Sequence, residues 1–199
     1  MITLEEFRAR CARDRAEDII DEVLLKDDAV HVSAENRAHV LKGLATAFDI
    51  EQSCIGLWVV GSAKLGFSIT EKKQDWKLLP RYRPFSAISD IDIAVASPAL
   101  FRVIWDELSI YAHGHPWMPW NSGRLGDYMV YGWLRPDHFP RGRRVRRCDA
   151  WWDQFRQFSA DPRFDRHSVR GGLFHSMTDL RRYLRRSVLE CAHAQQEQA

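Results

Sequence analysis

The chain lacks any long apolar run. Nowhere among its 199 residues do about 18 successive apolar side chains occur, the minimum for a membrane-spanning helix. The stretch "MITLEEFRARCARDRAEDIIDEV" at the N-terminus is charged throughout and contains no apolar segment typical of a signal peptide. We therefore expect a soluble, cytoplasmic protein that makes no contact with a membrane.

Clustered cysteines and a large net charge are missing as well. No C-x-x-C pair that would predict a zinc site or a redox motif occurs among the four cysteines, which are Cys11, Cys54, Cys148 and Cys191. Widely spaced thiols agree with a reducing compartment. The 29 Lys and Arg residues nearly balance the 27 Asp and Glu residues, so the net charge of +2 favours no class of partner. Arginine is concentrated after Arg135.

Helix signals are present along much of the chain. Thr3 and Glu6 form a capping-box pattern ahead of an amphipathic stretch, and Ser97-Pro98 is a typical N-cap and first-turn pair. Besides the helix after Pro98, the patterns predict helices over residues 4 to 25, 33 to 48, 149 to 158, and a terminal one capped by Ser176.

Three apolar stretches predict strands: Ile55 to Val60, Ile91 to Val95 and Asp127 to Pro136. The first is continuously apolar, which favours a central strand covered on both faces. Gly171 and Gly172, by contrast, predict a loop.

These elements predict an α/β (α+β) fold in a single domain over residues 1 to 199, with a small, mixed, mostly antiparallel sheet flanked by helices. Residues 1 to 50 would supply N-terminal helices and residues 55 to 136 the sheet. Residues 141 to 199 would form a helical, arginine-rich part.

The stretch "LWVVGSAKLGFSI" carries an apolar strand into a polar turn. It lacks the G-x-x-x-x-G-K-[ST] pattern of a Walker loop. Gly61 would permit close approach of the backbone to a ligand, Ser62 could donate its hydroxyl and amide to terminal phosphates, and Lys64 could neutralise them.

The stretch "SDIDIAV" places two carboxylates on one face of a strand. Asp90 and Asp92 are two residues apart, so their side chains point the same way and repel each other. An isolated D-x-D pair is usually a solvated strand end. Placed after a strand and a Gly-Ser turn, however, the pair predicts a site for Mg²⁺ and phosphate, because a cation between the carboxylates offsets the cost of burying them.

Together, "VVGSAKLG" and "SDIDIAV" resemble the motif of the polymerase β-like nucleotidyltransferase superfamily, in particular its minimal bacterial members. The resemblance covers about residues 55 to 110. It implies a nucleotidyltransferase-like fold and the transfer of a nucleotide from an NTP or dNTP with release of pyrophosphate. Gly61 and Ser62, with Lys64 and Ser89, would bind the nucleotide. Asp90 and Asp92 would hold two Mg²⁺ ions, for which Mn²⁺ could substitute.

Two departures from the family pattern stand out. The insertion "TEKKQDWKLLPRYRPF" separates the two motifs, and its cations and aromatic residues would either line a path for a nucleotide or strand or form only a surface hairpin. The family's third carboxylate is also missing from the middle of "YMVYGWLRPD", which leaves Asp127 and Asp137 as candidates. We select Asp127 as the third catalytic carboxylate.

The acceptor is not specified by these motifs. Our preferred hypothesis is the synthesis of a nucleotide signal or short oligonucleotide in bacterial anti-phage defence, with nucleic acid as acceptor or product. One alternative is an antitoxin-like enzyme that adds AMP to a hydroxyl of a partner protein encoded nearby. Another is a nucleotide or nucleic-acid binding module that has lost its chemistry. The basic run "RGRRVRR", Arg141 to Arg147, would contact a polyanion or begin a solvated helix.

Overall fold

Six strands occur in the part of the chain that the structure, a computed structural model, describes, namely residues 2–74, 76–114, 126, 129–135 and 145–197. They are β1 (Gly56–Val60), β2 (Lys72–Gln74), β3 (Lys77–Leu79), β4 (Ile91–Ala96), β5 (Trp133–Leu134) and β6 (Val169–Phe174).

Four of these strands form one mixed sheet in the order β1, β4, β6, β5, and β2 and β3 form a separate hairpin. The pairs β1–β4 and β6–β5 are antiparallel, whereas β4 and β6 are parallel. The predicted class, a small and mostly antiparallel mixed sheet with helices, is confirmed. In this register Asp92 on β4 lies between Val60 on β1 and Arg170 on β6.

Seven α-helices accompany the strands in the described residues: α1 (Leu4–Arg13), α2 (Ala16–Ile19), α3 (Ala34–Phe48), α4 (Gly61–Leu65), α5 (Pro98–His113), α6 (Arg146–Ala160) and α7 (Met177–Gln196). The predicted caps are confirmed, because each of four hydroxyl side chains accepts a hydrogen bond from the backbone N–H three residues later: Thr3, Ser33, Ser97 and Ser176. None of the described helices is long and apolar enough to cross a membrane.

The predicted helix over residues 4 to 25 is interrupted. The backbone turns extended at Asp14, whose carboxylate accepts hydrogen bonds from Arg10 Nε at 2.7 Å and Arg13 Nε at 2.9 Å. A short helix, α2, follows and continues into a π-helical turn, Ile20–Leu24. The prediction of one continuous helix was therefore wrong. Asp14 is the C-cap of α1, and its hydrogen bonds with Arg10 and Arg13 hold it there.

Helices cover both faces of the four-stranded sheet. One face packs its alternate apolar residues, such as Ile91 and Ile93, against α3, α5 and α6. The other face contributes Ala94, Ala96 and Phe174 to a second apolar cluster with α1, α2 and α7. The alternation of side chains along β4 also places Asp92 on this second face, at the beginning of the strand.

Three strand predictions need correction. β1 lies at the edge of the sheet and β4 is central, so the continuous apolar run reflects contact with helices rather than a central position. The expected loop at Gly171 is part of strand β6. A Cβ atom at Gly171 would lie 2.1 Å from Phe155 Cζ, so the glycine leaves room for α6 rather than making a turn. Of the predicted strand over Asp127 to Pro136, only Trp133–Leu134 is extended in the described residues, and Met129 and Val130 are helical.

Candidate functional site

The Gly-Ser turn directly contacts the carboxylate of Asp92. β1 ends opposite Asp92, and the chain then turns into α4 through Gly61, which has a φ of +66°. A Cβ atom at Gly61 would lie 3.0 Å from Asp92 Oδ2. Glycine is thus favoured here for two reasons: the backbone is left-handed, and a side chain would lie too close to the Asp92 carboxylate. Ser62 follows at the surface, half-exposed.

Asp90 lies beside this contact, just before β4 begins. Its Oδ2 is 3.3 Å from Nε of Arg170, the β6 residue that pairs in register with Asp92. The Arg170 side chain is 65% exposed, whereas that of Asp90 is 22% exposed. The structure therefore brings Gly61, Asp90 and Asp92 together, as predicted from the sequence, and adds an arginine.

The charge of the Asp92 carboxylate is incompletely compensated. Burial, and then the negative charge of Asp90, raise the pKa of Asp92 from 3.8 to about 6, while Arg170 and Lys72 act in the opposite direction. A carboxyl group behaves in this way when its charge is removed from water without enough positive charge nearby. The charged form of Asp92 is therefore disfavoured unless more positive charge is brought near it.

Ser89 is held by backbone and side-chain contacts. Its amide donates to the Ser86 carbonyl at 2.8 Å, its hydroxyl accepts from the Ser86 amide at 3.0 Å, and its carbonyl lies 2.8 Å from His167 Nδ1. Because a carbonyl can only accept, Nδ1 of His167 is the protonated ring nitrogen. Ser89 thus forms the turn that carries Asp90.

Lys64 is placed away from the carboxylates. Its side chain is 4% exposed, and its ammonium donates to the carbonyls of Lys26 and Asp28 and lies 3.3 Å from Asp28 Oδ1. Burial lowers the pKa of Lys64, and the Asp28 carboxylate partly offsets this. The prediction that Lys64 neutralises phosphates does not fit this geometry, since its donors already have protein acceptors.

Three side chains near Asp92 were not selected from the sequence. They are Arg170 on β6, Lys72 on β2 and Tyr183 on α7. Burial and the Asp92 charge both raise the pKa of Tyr183, whose ring lies 5.3 Å from that of Trp133. Arg170 was missed because its strand was predicted to be a loop. The basic insertion was a sequence signal for Lys72, whereas no local pattern marks Tyr183.

Two carboxylates fit Mg²⁺, which is commonly held by one or two carboxylates together with phosphate oxygens and water. In the described part of the chain, no three His, Cys, Asp or Glu side chains are grouped so that they could hold a metal ion. Asp127 and Asp137, the sequence candidates for a third carboxylate, lie outside the described residues, as do residues 141 to 144 of the basic run.

No protein-family model, curated protein or solved structure matches this chain. The resemblance to nucleotidyltransferases therefore rests on the residues of the Gly-Ser turn and of the Asp-x-Asp pair.

Proposed function

We propose that the protein is a Mg²⁺-dependent nucleotidyltransferase that uses an NTP or dNTP and releases pyrophosphate. The observation that carries this proposal is the direct apposition of Gly61 to the Asp92 carboxylate, with Asp90 beside it. A strand end at which the backbone closely approaches the Asp92 carboxylate, with Asp90 beside it, suits a phosphate chain bound together with a cation.

Each residue has a distinct part in this proposal. Gly61 lets the backbone of the turn approach the Asp92 carboxylate, and the Ser62 hydroxyl and amide donate hydrogen bonds to phosphate oxygens. Asp90 and Asp92 hold the metal. Mg²⁺, when bound, neutralises charge on the triphosphate and on the leaving pyrophosphate.

A second candidate is a nucleotide-binding module without catalytic activity. Arg170 favours it, because this arginine lies opposite Asp92 on the neighbouring strand and pairs with Asp90. An arginine here attracts phosphate but cannot be a metal ligand. Nucleotide binding without release of pyrophosphate would support this candidate.

The acceptor is also part of the proposal. We favour a nucleotide signal or short oligonucleotide made in anti-phage defence, since the hairpin between the two motifs is basic and aromatic. Transfer of AMP to a protein hydroxyl is the alternative, and the location of the label in a reaction would separate the two.

The test is release of pyrophosphate from each labelled NTP and dNTP with Mg²⁺ or Mn²⁺. We expect Asp90→Ala and Asp92→Ala to lower the rate by about 100-fold or more, because each removes a metal ligand. Asp106→Ala is the matched control, since Asp106 is a 60% exposed carboxylate on α5 that contacts Arg102 at 3.6 Å. Full activity in both site variants would overturn the assignment.

A further inference from the structure

The hairpin β2–β3 projects from a firmly fixed base. Arg83 donates from Nη1 to the Leu79 carbonyl at 2.9 Å, and the backbone of Ser68 bonds to both Tyr82 and Arg83. Arg81 donates to the Ile69 carbonyl at 3.0 Å and lies 3.5 Å from Cys191 Sγ on α7. The base is thereby tied to the body of the protein.

The two faces of the hairpin differ in what they present. Lys72 pairs with Leu79 and Gln74 with Lys77, so the alternation of strand residues puts Lys72 and Lys77 on one face. The pair of Lys73 and Leu78 lies on the other face. The face with Lys72 and Lys77 therefore carries two exposed ammonium groups, whereas the other face carries one.

An unusual aromatic residue marks the turn of the hairpin. Trp76 is 99% exposed, and Leu78 nearby is 64% exposed. Exposure of a whole indole to water is unfavourable, and such a ring beside lysines is typical of a platform on which unpaired bases stack. Residues 67 to 88 contain five basic and two acidic side chains. Arg81 and Arg83 bind backbone carbonyls in the base, so it is the three exposed lysines, Lys72, Lys73 and Lys77, that favour a polyanion over a basic partner.

We propose that this hairpin is a docking arm for single-stranded nucleic acid. The phosphates of the strand contact Lys72 and Lys77, and a base stacks on Trp76. The same strand would be available as an acceptor. Only its use as the acceptor of a nucleotide rests on the proposed function, because binding itself requires no chemistry.

Binding is measured by fluorescence anisotropy with a labelled oligothymidylate of about 12 nucleotides, within the usual site size of stacking platforms. EDTA is present, so that no metal contributes. We expect Lys72→Ala combined with Lys77→Ala to weaken binding at least about tenfold and to reduce the slope of log K against log salt by about 1.4, since single strands contribute about 0.7 per phosphate.

Matched variants separate this arm from general electrostatics. Lys73→Ala, on the opposite face, is expected to weaken binding by about twofold or less. Trp76→Ala should weaken it by about tenfold, whereas Trp76→Phe should retain most of the affinity because a ring remains for stacking. All four residues are exposed, and unchanged thermal midpoints would establish that the variants are folded. An effect of Lys73→Ala as large as that of the double variant overturns the proposal.

Two further measurements keep the proposals distinct. Asp92→Asn should abolish release of pyrophosphate but leave strand binding intact. If release is normal and the strand does not bind, the docking arm alone is refuted. An acidic peptide of equal charge that binds as tightly as the oligonucleotide and is indifferent to Trp76→Ala would identify a protein partner and also overturn it.

Discussion

A charged side chain lies near each end of the short helix α4, and the two charges differ in how well the surrounding protein compensates them. At its first residue, Gly61 contacts Asp92, a carboxylate with another carboxylate beside it and a pKa raised to about 6. At its fourth residue, the buried ammonium of Lys64 contacts two carbonyls and the Asp28 carboxylate. The charge of Lys64 is compensated by these acceptors, whereas the charge of Asp92 is only partly compensated.

This difference separates a fully compensated charge from a partly compensated one. A buried ion is tolerated when hydrogen bonds and an opposite charge replace the lost water, which is the case for Lys64. Burial of Asp92 beside Asp90 disfavours its charged form, and Arg170 offsets this only in part. The predictions that follow test this contrast.

The largest effect on stability is expected at Lys64. Lys64→Ala should lower the free energy of unfolding by about 3 kcal/mol, because the carbonyls of Lys26 and Asp28 lose their donor in a buried place. Denaturant unfolding measures the change. Lys26→Ala is the control, since only its backbone carbonyl takes part and its side chain is exposed. Equal stability of the two variants would contradict the assignment of Lys64 as a structural ion.

A smaller effect of opposite sign is expected at Asp92 in metal-free protein. Its pKa in the folded state, about 6, lies above the ordinary 3.8, so the folded state binds this proton more tightly than the unfolded state. The stabilisation is present below pH 3.8 and is lost as the pH rises towards 6. Asp92→Asn avoids that loss, so above pH 6.5 the free energy of unfolding of the variant should be about 2 kcal/mol higher than that of the wild type. This is part of the ~3 kcal/mol that corresponds to the full pKa shift of Asp92.

The difference between variant and wild type isolates Asp92 from the other carboxylates. Unfolding curves at pH 4, 6 and 8 in EDTA should show that the stability advantage of Asp92→Asn over the wild type grows with pH. Asp106→Asn, at an exposed carboxylate, should show little gain at any pH. A pH-independent effect of Asp92→Asn would show that the carboxylate is adequately compensated in the folded protein.

Much of the fold and part of the site could be predicted because the relevant signals are local. The capping serines and the apolar runs before Gly61 and after Asp90 each act within a few residues. The resulting strands, β1 and β4, pair and bring Gly61 to Asp92, which explains why the sequence order of the two motifs was informative.

The remainder depends on contacts between distant residues. Strand β6 was mistaken for a loop since two glycines usually indicate a turn, and only the ring of Phe155 explains Gly171. Because β6 was predicted to be a loop, Arg170 was not considered as a site residue. The position of Lys64 could not be predicted because a lysine shortly after Gly-Ser suits a phosphate equally well, and its acceptors at Lys26 and Asp28 lie far back in the sequence.

The smallest effect on stability is expected at Arg170, which also tests how far the charge of Asp92 is compensated. Its side chain is 65% exposed, so Arg170→Gln should change the free energy of unfolding by less than about 0.5 kcal/mol. The arginine nevertheless lowers the pKa of Asp92, so without it the midpoint of the pH-dependent stability difference between Asp92→Asn and the wild type should move to higher pH. Arg163→Gln, which removes a 3.6 Å contact with Asp161 elsewhere, should leave that midpoint unchanged. An unmoved midpoint in Arg170→Gln would show that Asp92 does not sense this arginine and would contradict the partial compensation of Asp92 by Arg170.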